Sequence, residues 1–176
     1  MASELRFKLL ATKTIKSGGD AGITLASLAA AAWRQFAKLD LCGGGTPFPL
    51  YVDFRIQAKP TSAPTAGGRV QLFIGFSDSG TAATNNPANL SGADAAYLGY
   101  GAASTDADEC MAQMTEVSPP LVASADAVIQ SSEWIGKIEV KDRYMVGAIR
   151  NSMSQAFSST EADHQVTCRL WTLESQ

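Results

Sequence analysis

His164 is the single histidine of the chain. Glu161, Asp163 and Gln165 surround it, and these are residue types that general acid–base catalysis or a metal ion would use. There is no second histidine and no cysteine spaced with it as a ligand, so it reads as a surface or structural member of a polar turn before the last strand. Asp106, Asp108 and Glu109 lie close in sequence. Two such carboxylates could divide the acid and base roles of glycoside hydrolysis, which requires a separation of roughly 5–10 Å, or supply oxygen ligands to calcium, although the EF-hand spacing is absent. Asp40 and Asp53 fall on different candidate strands. All of these acids are read as solvated charges.

Gly43-Gly44-Gly45 is not followed by the Gly-Lys-Ser/Thr of a phosphate-binding loop, and it joins two candidate antiparallel strands, so it reads as a flexible turn. Cys42, Cys110 and Cys168 are too far apart for a metal knuckle, and three cysteines cannot all pair within one chain. Free thiols are expected, with one internal pair left open, and Cys168 alternates with Val166 and Leu170 as a buried thiol would. No catalytic residue, metal site or cofactor is assigned. The remaining candidates are aromatic. Trp33, Trp134 and Trp171 are read mainly as packing residues, whereas Tyr97 and Tyr100, flanked by Gly99, Gly101 and alanines, are read as exposed anchors for an intermolecular contact.

The elements that must position these residues are strands. Tyr51–Lys59 alternates polar and apolar almost throughout, placing Val52, Phe54, Ile56 and Ala58 on one face. Val70, Leu72, Ile74 and Phe76 form a second inward row, taken as an antiparallel neighbour of the first. Leu5–Ile15, Trp134–Val140, Tyr144–Asn151 and Gln165–Leu173 carry further strand patterns, and Met111–Val117 another that ends at Ser118-Pro119-Pro120. Ala127–Ser131 reads as a short return segment. In the alanine-rich start of Ile23–Leu41 propensity favours a short helix at Leu25–Ala31. A strand then runs from Ala32 to Leu41 with Trp33, Gln35, Ala37 and Leu39 on one face. Ser77–Asp108 is broken repeatedly by Gly, Asn and Pro and reads as a long surface loop.

With 176 residues, 45% of them hydrophobic, one domain can build its core without a disulfide or metal. Residues 1–22 are expected as an N-terminal strand or arm and 23–176 as the domain itself. About eight strands close best as two packed layers, so the fold class is all-β, a jelly-roll-like antiparallel sandwich. A formal net charge of -3 without a basic cluster opposes binding to a phosphate backbone. The longest apolar run, Ile23–Trp33, is well short of the roughly 18 residues of a membrane span, and Glu4, Arg6 and Lys8 interrupt any leader-like start. Neither nucleic acid nor membrane is expected as a partner.

Trp33–Leu41, Tyr51–Lys59, Pro64-Thr65-Ala66-Gly67-Gly68 and Val70–Ser79 together resemble a family of small tailed-bacteriophage virion proteins. The similarity continues through Asp94-Ala95-Ala96-Tyr97 and Tyr144–Ser158, touching most of residues 23–173. The resemblance implies an accessory virion component such as a capsid decoration or cement protein. Such a protein is made in the host cytoplasm and sits on the outer capsid surface, bound to the major capsid protein as a homo-oligomer, with a trimer about a local symmetry axis as one form. Under this reading it is not an enzyme. Tyr97 and Tyr100 become loop anchors, with Arg6 and Lys8 as contacts from the N-terminal arm. The alternative is a carbohydrate- or receptor-binding module of a tail or fibre, and a hydrolase is a more distant one.

Overall fold

Alternating apolar rows in this chain bury themselves by closing two sheets face to face. The computed structural model describes residues 5–101 and 104–175. Ten strands follow in chain order, β1 (Leu5–Ile15), β2 (Trp33–Asp40), β3 (Tyr51–Ala58), β4 (Arg69–Ser77), β5 (Ala95–Ala96), β6 (Thr115–Val122), β7 (Gln130–Ser131), β8 (Ile135–Glu139), β9 (Tyr144–Ser152) and β10 (Gln165–Ser175), with one helix, α1 (Ser104–Cys110). One sheet runs β1-β10-β3 and continues to β7 and β8, both paired with β3; the other runs β5-β2-β9-β4-β6. Every named strand pair is antiparallel. Without the two-residue strands, consecutive long strands alternate between sheets except for β4 and β6, which pair within one sheet, and this is the order of a jelly roll. The protein is an all-β sandwich.

Val52, Phe54 and Ile56 on β3 meet Val166, Cys168 and Leu170 on β10 and Val70, Leu72 and Ile74 on β4 in one buried core. Two-residue periodicity found this core correctly. It could not assign partners, and β3 and β4 turn out to lie in opposite sheets instead of side by side. β1 is no detached arm, because its residues pair with β10 from Leu5↔Ser175 to Ile15↔Val166, with a bulge between Leu9 and Ala11.

Three local readings are corrected. Leu25–Ala31 is not helical. The alanine run offers no wide apolar face to pack, and other groups take its backbone: the Glu161 carboxylate accepts from the N–H groups of Leu25 and Ala26 at 3.0 and 2.7 Å. The buried Asn151 amide donates to the carbonyls of Leu28 and Ala29 at 3.0 and 3.2 Å. On β2 the register shifts between Phe36 and Leu39, so the face proposed for Trp33, Gln35, Ala37 and Leu39 is split. Leu39 and Phe36 enter the main core, while Trp33 packs in a separate cluster. Met111–Gln113 is a 3-10 turn, and the strand starts at Thr115 and runs through both prolines to Val122. Pro119 and Pro120 are tolerated because β6 is an edge strand, where a missing N–H need not break a ladder.

The two sheets differ in how they are covered. The long excursion between β4 and β6 folds back over the outer face of the β2–β9–β4 sheet. Trp33, Phe73, Val146 and Ala148 there pack against Ala88, Leu90, Tyr97, Ala107 and Cys110 of the excursion. Gly147 of β9 leaves room for this double burial: a Cβ added there would collide with the Phe73 carbonyl oxygen and lie 2.8 Å from the Phe36 ring. Gly147→Ala is therefore expected to lower stability by about 1–3 kcal/mol in urea denaturation, and an unchanged midpoint contradicts this packing.

Candidate functional site

The residues singled out for acid–base or metal chemistry are used structurally. His164 is 1% exposed and stacks on Phe157 with ring centroids 5.0 Å apart. Its Nδ1 accepts from the Lys59 N–H at 3.3 Å, and its Nε2 lies 3.1 Å from the Ser158 carbonyl oxygen. The neutral Nε2–H tautomer satisfies both contacts, whereas a second ring proton would face the Lys59 N–H. Burial, the largest influence, holds the imidazole below its ordinary pKa. Because the folded value is depressed, this contribution to stability is present above about pH 6.5 and is lost as pH falls through the lowered value. Between pH 7 and pH 5 the wild type is expected to lose more unfolding free energy than His164→Gln. Equal losses would contradict the buried neutral state.

Asp108 and Glu109 lie on α1, a helix where a turn was expected. Asp106 shares that helix, but its side chain lies outside the described residues. Asp108 is paired with Arg150 at 3.2 Å. Asp40 is held by Arg143 at 2.8 Å, and that hydrogen bond keeps its carboxyl below the usual range. No group of His, Cys, Asp and Glu side chains among the described residues could hold a metal ion. The three cysteines are free, and burial pushes the Cys168 thiol up to about 12, which makes it a poor nucleophile. Gly44 and Gly45 adopt φ of 75° and 80°, in the turn expected for them. A cleft of about 230 Å³ beside Phe76, Pro87 and Thr115 carries Lys141 and Asp142 at its edge. Among the described residues, no helix is long and apolar enough to cross a membrane.

The two tyrosines proposed as anchors separate. Tyr97 is 1% exposed, its hydroxyl donates to the Ala88 carbonyl at 2.6 Å, and its ring meets Trp33 edge-on at 5.9 Å. It is a core residue of the excursion, and the expectation of an exposed anchor is corrected. Glycine and alanine neighbours suggested nothing bulky enough to enclose it, but the enclosing residues come from β2, β4 and β9. Tyr100 remains 66% exposed and donates to Gln113 Oε1 at 3.1 Å. Tyr97→Ala is expected to cost about 3 kcal/mol or more and Tyr100→Ala within about 0.5 kcal/mol, as read by thermal or chemical unfolding.

Lys38 fixes the same excursion from β2. Its ammonium donates to the carbonyls of Ser79, Thr81 and Thr84 at 2.8, 2.8 and 3.0 Å and reaches Ser77 Oγ at 3.1 Å. Gln35 receives the Ser91 N–H at 2.7 Å and donates to the Ala96 carbonyl at 3.1 Å. Arg34 closes on Asp94 at 2.6 Å. Polar residues of β2 thus hold the lid, a role that strand periodicity left as mere outward polarity.

Among the described residues no such lid covers the outer face of the β1–β10–β3 sheet, and this face has the composition of a contact surface. Leu9 pairs with Trp171, which pairs with Tyr51, so these three side chains share that face, as do Phe7 and Leu173. Phe7 and Tyr51 meet edge to face at 5.7 Å, with the Lys137 ammonium 3.0 Å over the Phe7 ring. Further along, Arg169 stacks 3.7 Å over Trp134 and 5.0 Å over Trp171 while grasping Asp53 with two hydrogen bonds of 3.0 and 2.5 Å. The indole N–H of Trp171 has no acceptor among the described residues. Beside this rigid row lie Leu5 at 65%, Phe7 at 50%, Leu9 at 46% and Leu173 at 37% exposure.

Lone surface leucines are ordinary, but contiguous apolar surface beside Trp, Tyr and Arg marks interaction sites. Arg6 and Lys8 alternate with these residues on the same strand, and Lys8 pairs with Glu174 at 2.7 Å. Of the four proposed interface residues, the structure places Arg6 and Lys8 on β1 but on the face opposite Leu5, Phe7 and Leu9, leaves Tyr100 on the excursion and buries Tyr97. The exposed leucines were legible as a strand pattern. That no described segment covers them was not. No protein-family model, no curated protein and no solved structure matches this chain. Arg169→Ala is expected to strand the nearly buried Asp53, costing about 2 kcal/mol, and to shift tryptophan emission; an unchanged spectrum contradicts the stacked arrangement.

Proposed function

We propose that the protein is an accessory structural component of a virion, attached to the major capsid protein through the uncovered outer face of the β1–β10–β3 sheet. The observation that carries the reading is the asymmetry of the sandwich. One sheet is buried on both faces, whereas the other presents exposed Leu5, Phe7, Leu9 and Leu173 beside an ordered aromatic and arginine row. An ordered aromatic row with an apolar margin suits a standing contact, since little side-chain entropy is lost when it is covered. A jelly roll is an architecture used by viral capsid domains and also by lectins, so the fold fits this role without selecting it.

The role is mechanical. A subunit that bridges neighbouring shell proteins stabilises the assembled state by contacts that vanish when they separate, coupling its binding to shell stability. Three copies about a local three-fold would each use two different patches, which the open face and the excursion could supply. The sugar-binding alternative is less well served, because Arg169 already occupies the Trp134 ring face on which a sugar would stack.

Two measurements test the proposal. A particle map should show this chain on the head at a copy number matching the shell lattice, and absence from purified particles contradicts it. The triple variant Leu5→Ser, Phe7→Ser, Leu9→Ser should lose at least tenfold in particle affinity while keeping a sheet-dominated circular dichroism spectrum. Undiminished attachment would remove this face from the interface.

A further inference from the structure

We propose that the turn of residues 77–84 is a monovalent-cation site whose resident ion is the Lys38 ammonium, and that it binds potassium or ammonium ion when that side chain is withdrawn. This goes beyond the virion reading, because it concerns how the excursion is ordered, whatever the outer surfaces bind.

An ammonium carries three N–H donors. Four oxygens converge on that of Lys38, namely the carbonyls of Ser79, Thr81 and Thr84 at 2.8, 2.8 and 3.0 Å and Ser77 Oγ at 3.1 Å. With more acceptors than donors, the group is held as a sphere of positive charge and not only by matched hydrogen bonds. The oxygens also lie close to one another. Ser77 Oγ is 3.1 Å from the Thr84 carbonyl oxygen and 3.4 Å from that of Ser79, and it accepts from the Ser79 N–H at 3.3 Å. With its own proton directed at a carbonyl, its second lone pair is left for the cation. Ser77 is 2% exposed, so the inner wall of the site is shielded from water.

Carbonyl oxygens aimed at one point repel each other unless a positive charge stands between them, and rings of such oxygens replace the hydration shell of potassium in channels. The ligand chemistry selects the class of ion. Calcium sites draw on carboxylates at roughly 2.3–2.6 Å, whereas all four oxygens here are neutral and stand 2.8–3.1 Å from the charge. Asp78, the carboxylate within the turn, accepts from Asn85 Nδ2 at 2.8 Å instead. Neutral ligands at this distance suit a large ion of single charge.

The lysine is delivered by the irregular part of β2, where the register with β9 shifts between Phe36 and Leu39. Released from the ladder, the Lys38 N–H donates to the Gly92 carbonyl at 3.0 Å. One residue thus ties two stretches of the excursion, residue 92 by its backbone and residues 77–84 by its ammonium. Because the cation is tethered, the cage is filled at any salt concentration.

The test compares the full chain carrying Lys38→Ala with the wild type and with Lys38→Met. Thermal unfolding is followed in potassium, ammonium and tetramethylammonium chloride at one ionic strength, the last cation being too large for the cage. Lys38→Ala should unfold about 3 °C or more higher in the first two salts than in the third, with saturation as their concentration rises. The wild type should not distinguish the salts, nor should Lys38→Met, whose apolar stem fills the space that the ion needs. Potassium titration of Lys38→Ala should shift the amide signals of residues 77–84 saturably and leave those of β1 and β10 in place. In the wild type, NMR couplings across hydrogen bonds should join the Lys38 ammonium nitrogen to the carbonyl carbons of Ser79, Thr81 and Thr84. That measurement needs no variant, so it decides even if Lys38→Ala fails to fold, and missing couplings overturn the proposal. So does the absence of a gain in potassium, an equal gain in all three salts, or the same gain in Lys38→Met, which would be a general salt effect. No particle enters the experiment, so its failure leaves the virion reading to its own test.

Discussion

The packing of Tyr97 and Trp33 across the outer face of one sheet is the contact on which the arrangement of the molecule depends. A central strand such as β9 is buried on both sides, with Val146 and Ala148 facing the excursion and Met145 and Ile149 facing the main core. Without cover, that outer face would expose Trp33 and Phe73 to water. The excursion supplies the cover, and outside the short β5–β2 pairing its backbone is accommodated by Lys38, Gln35 and Asn86 side chains. Buried backbone groups demand such partners. A long connection with few regular elements is ordered here because polar residues of one strand satisfy its carbonyls.

One consequence is an asymmetric sandwich. Among the described residues the second sheet has no comparable cover, and its outer residues stabilise one another laterally instead. Arg169 is stacked between two indoles and held by Asp53, and Phe7 lies between Tyr51 and Lys137. Such cation–π and ion-pair contacts order an exposed face without burying it. Toward β1 the lateral support ends, and apolar side chains and backbone donors are presented together. This juxtaposition of a stiff aromatic row, an apolar margin and an open edge is the physical basis for reading the protein as one that works by contact.

Much of the fold was legible in the sequence, because period-two alternation reports burial on one face and β3, β4 and β10 carry it cleanly. The failures share a cause. Propensity favours a helix at Leu25–Ala31, and a buried asparagine and a glutamate from far along the chain override it. β2 broke phase at a bulge that no local signal announced. The small neighbours of Tyr97 suggest exposure, but residues some sixty positions before and fifty after enclose it. At the surface, the sequence marks Arg6 and Lys8 by their charge, and the alternation of the hydrophobic residues beside them gives a strand but not which of its faces is covered. Whether an apolar row is inside or outside depends on what covers it, and that is settled between elements distant in sequence.

The account is tested most directly by hydroxyl-radical footprinting of the protein free and bound to intact particles. It predicts loss of oxidation at Leu5, Phe7, Leu9 and Leu173, with Leu98 and Tyr100 less altered. Protection confined to Leu98 and Tyr100, with the β1–β10 face still open, would contradict it.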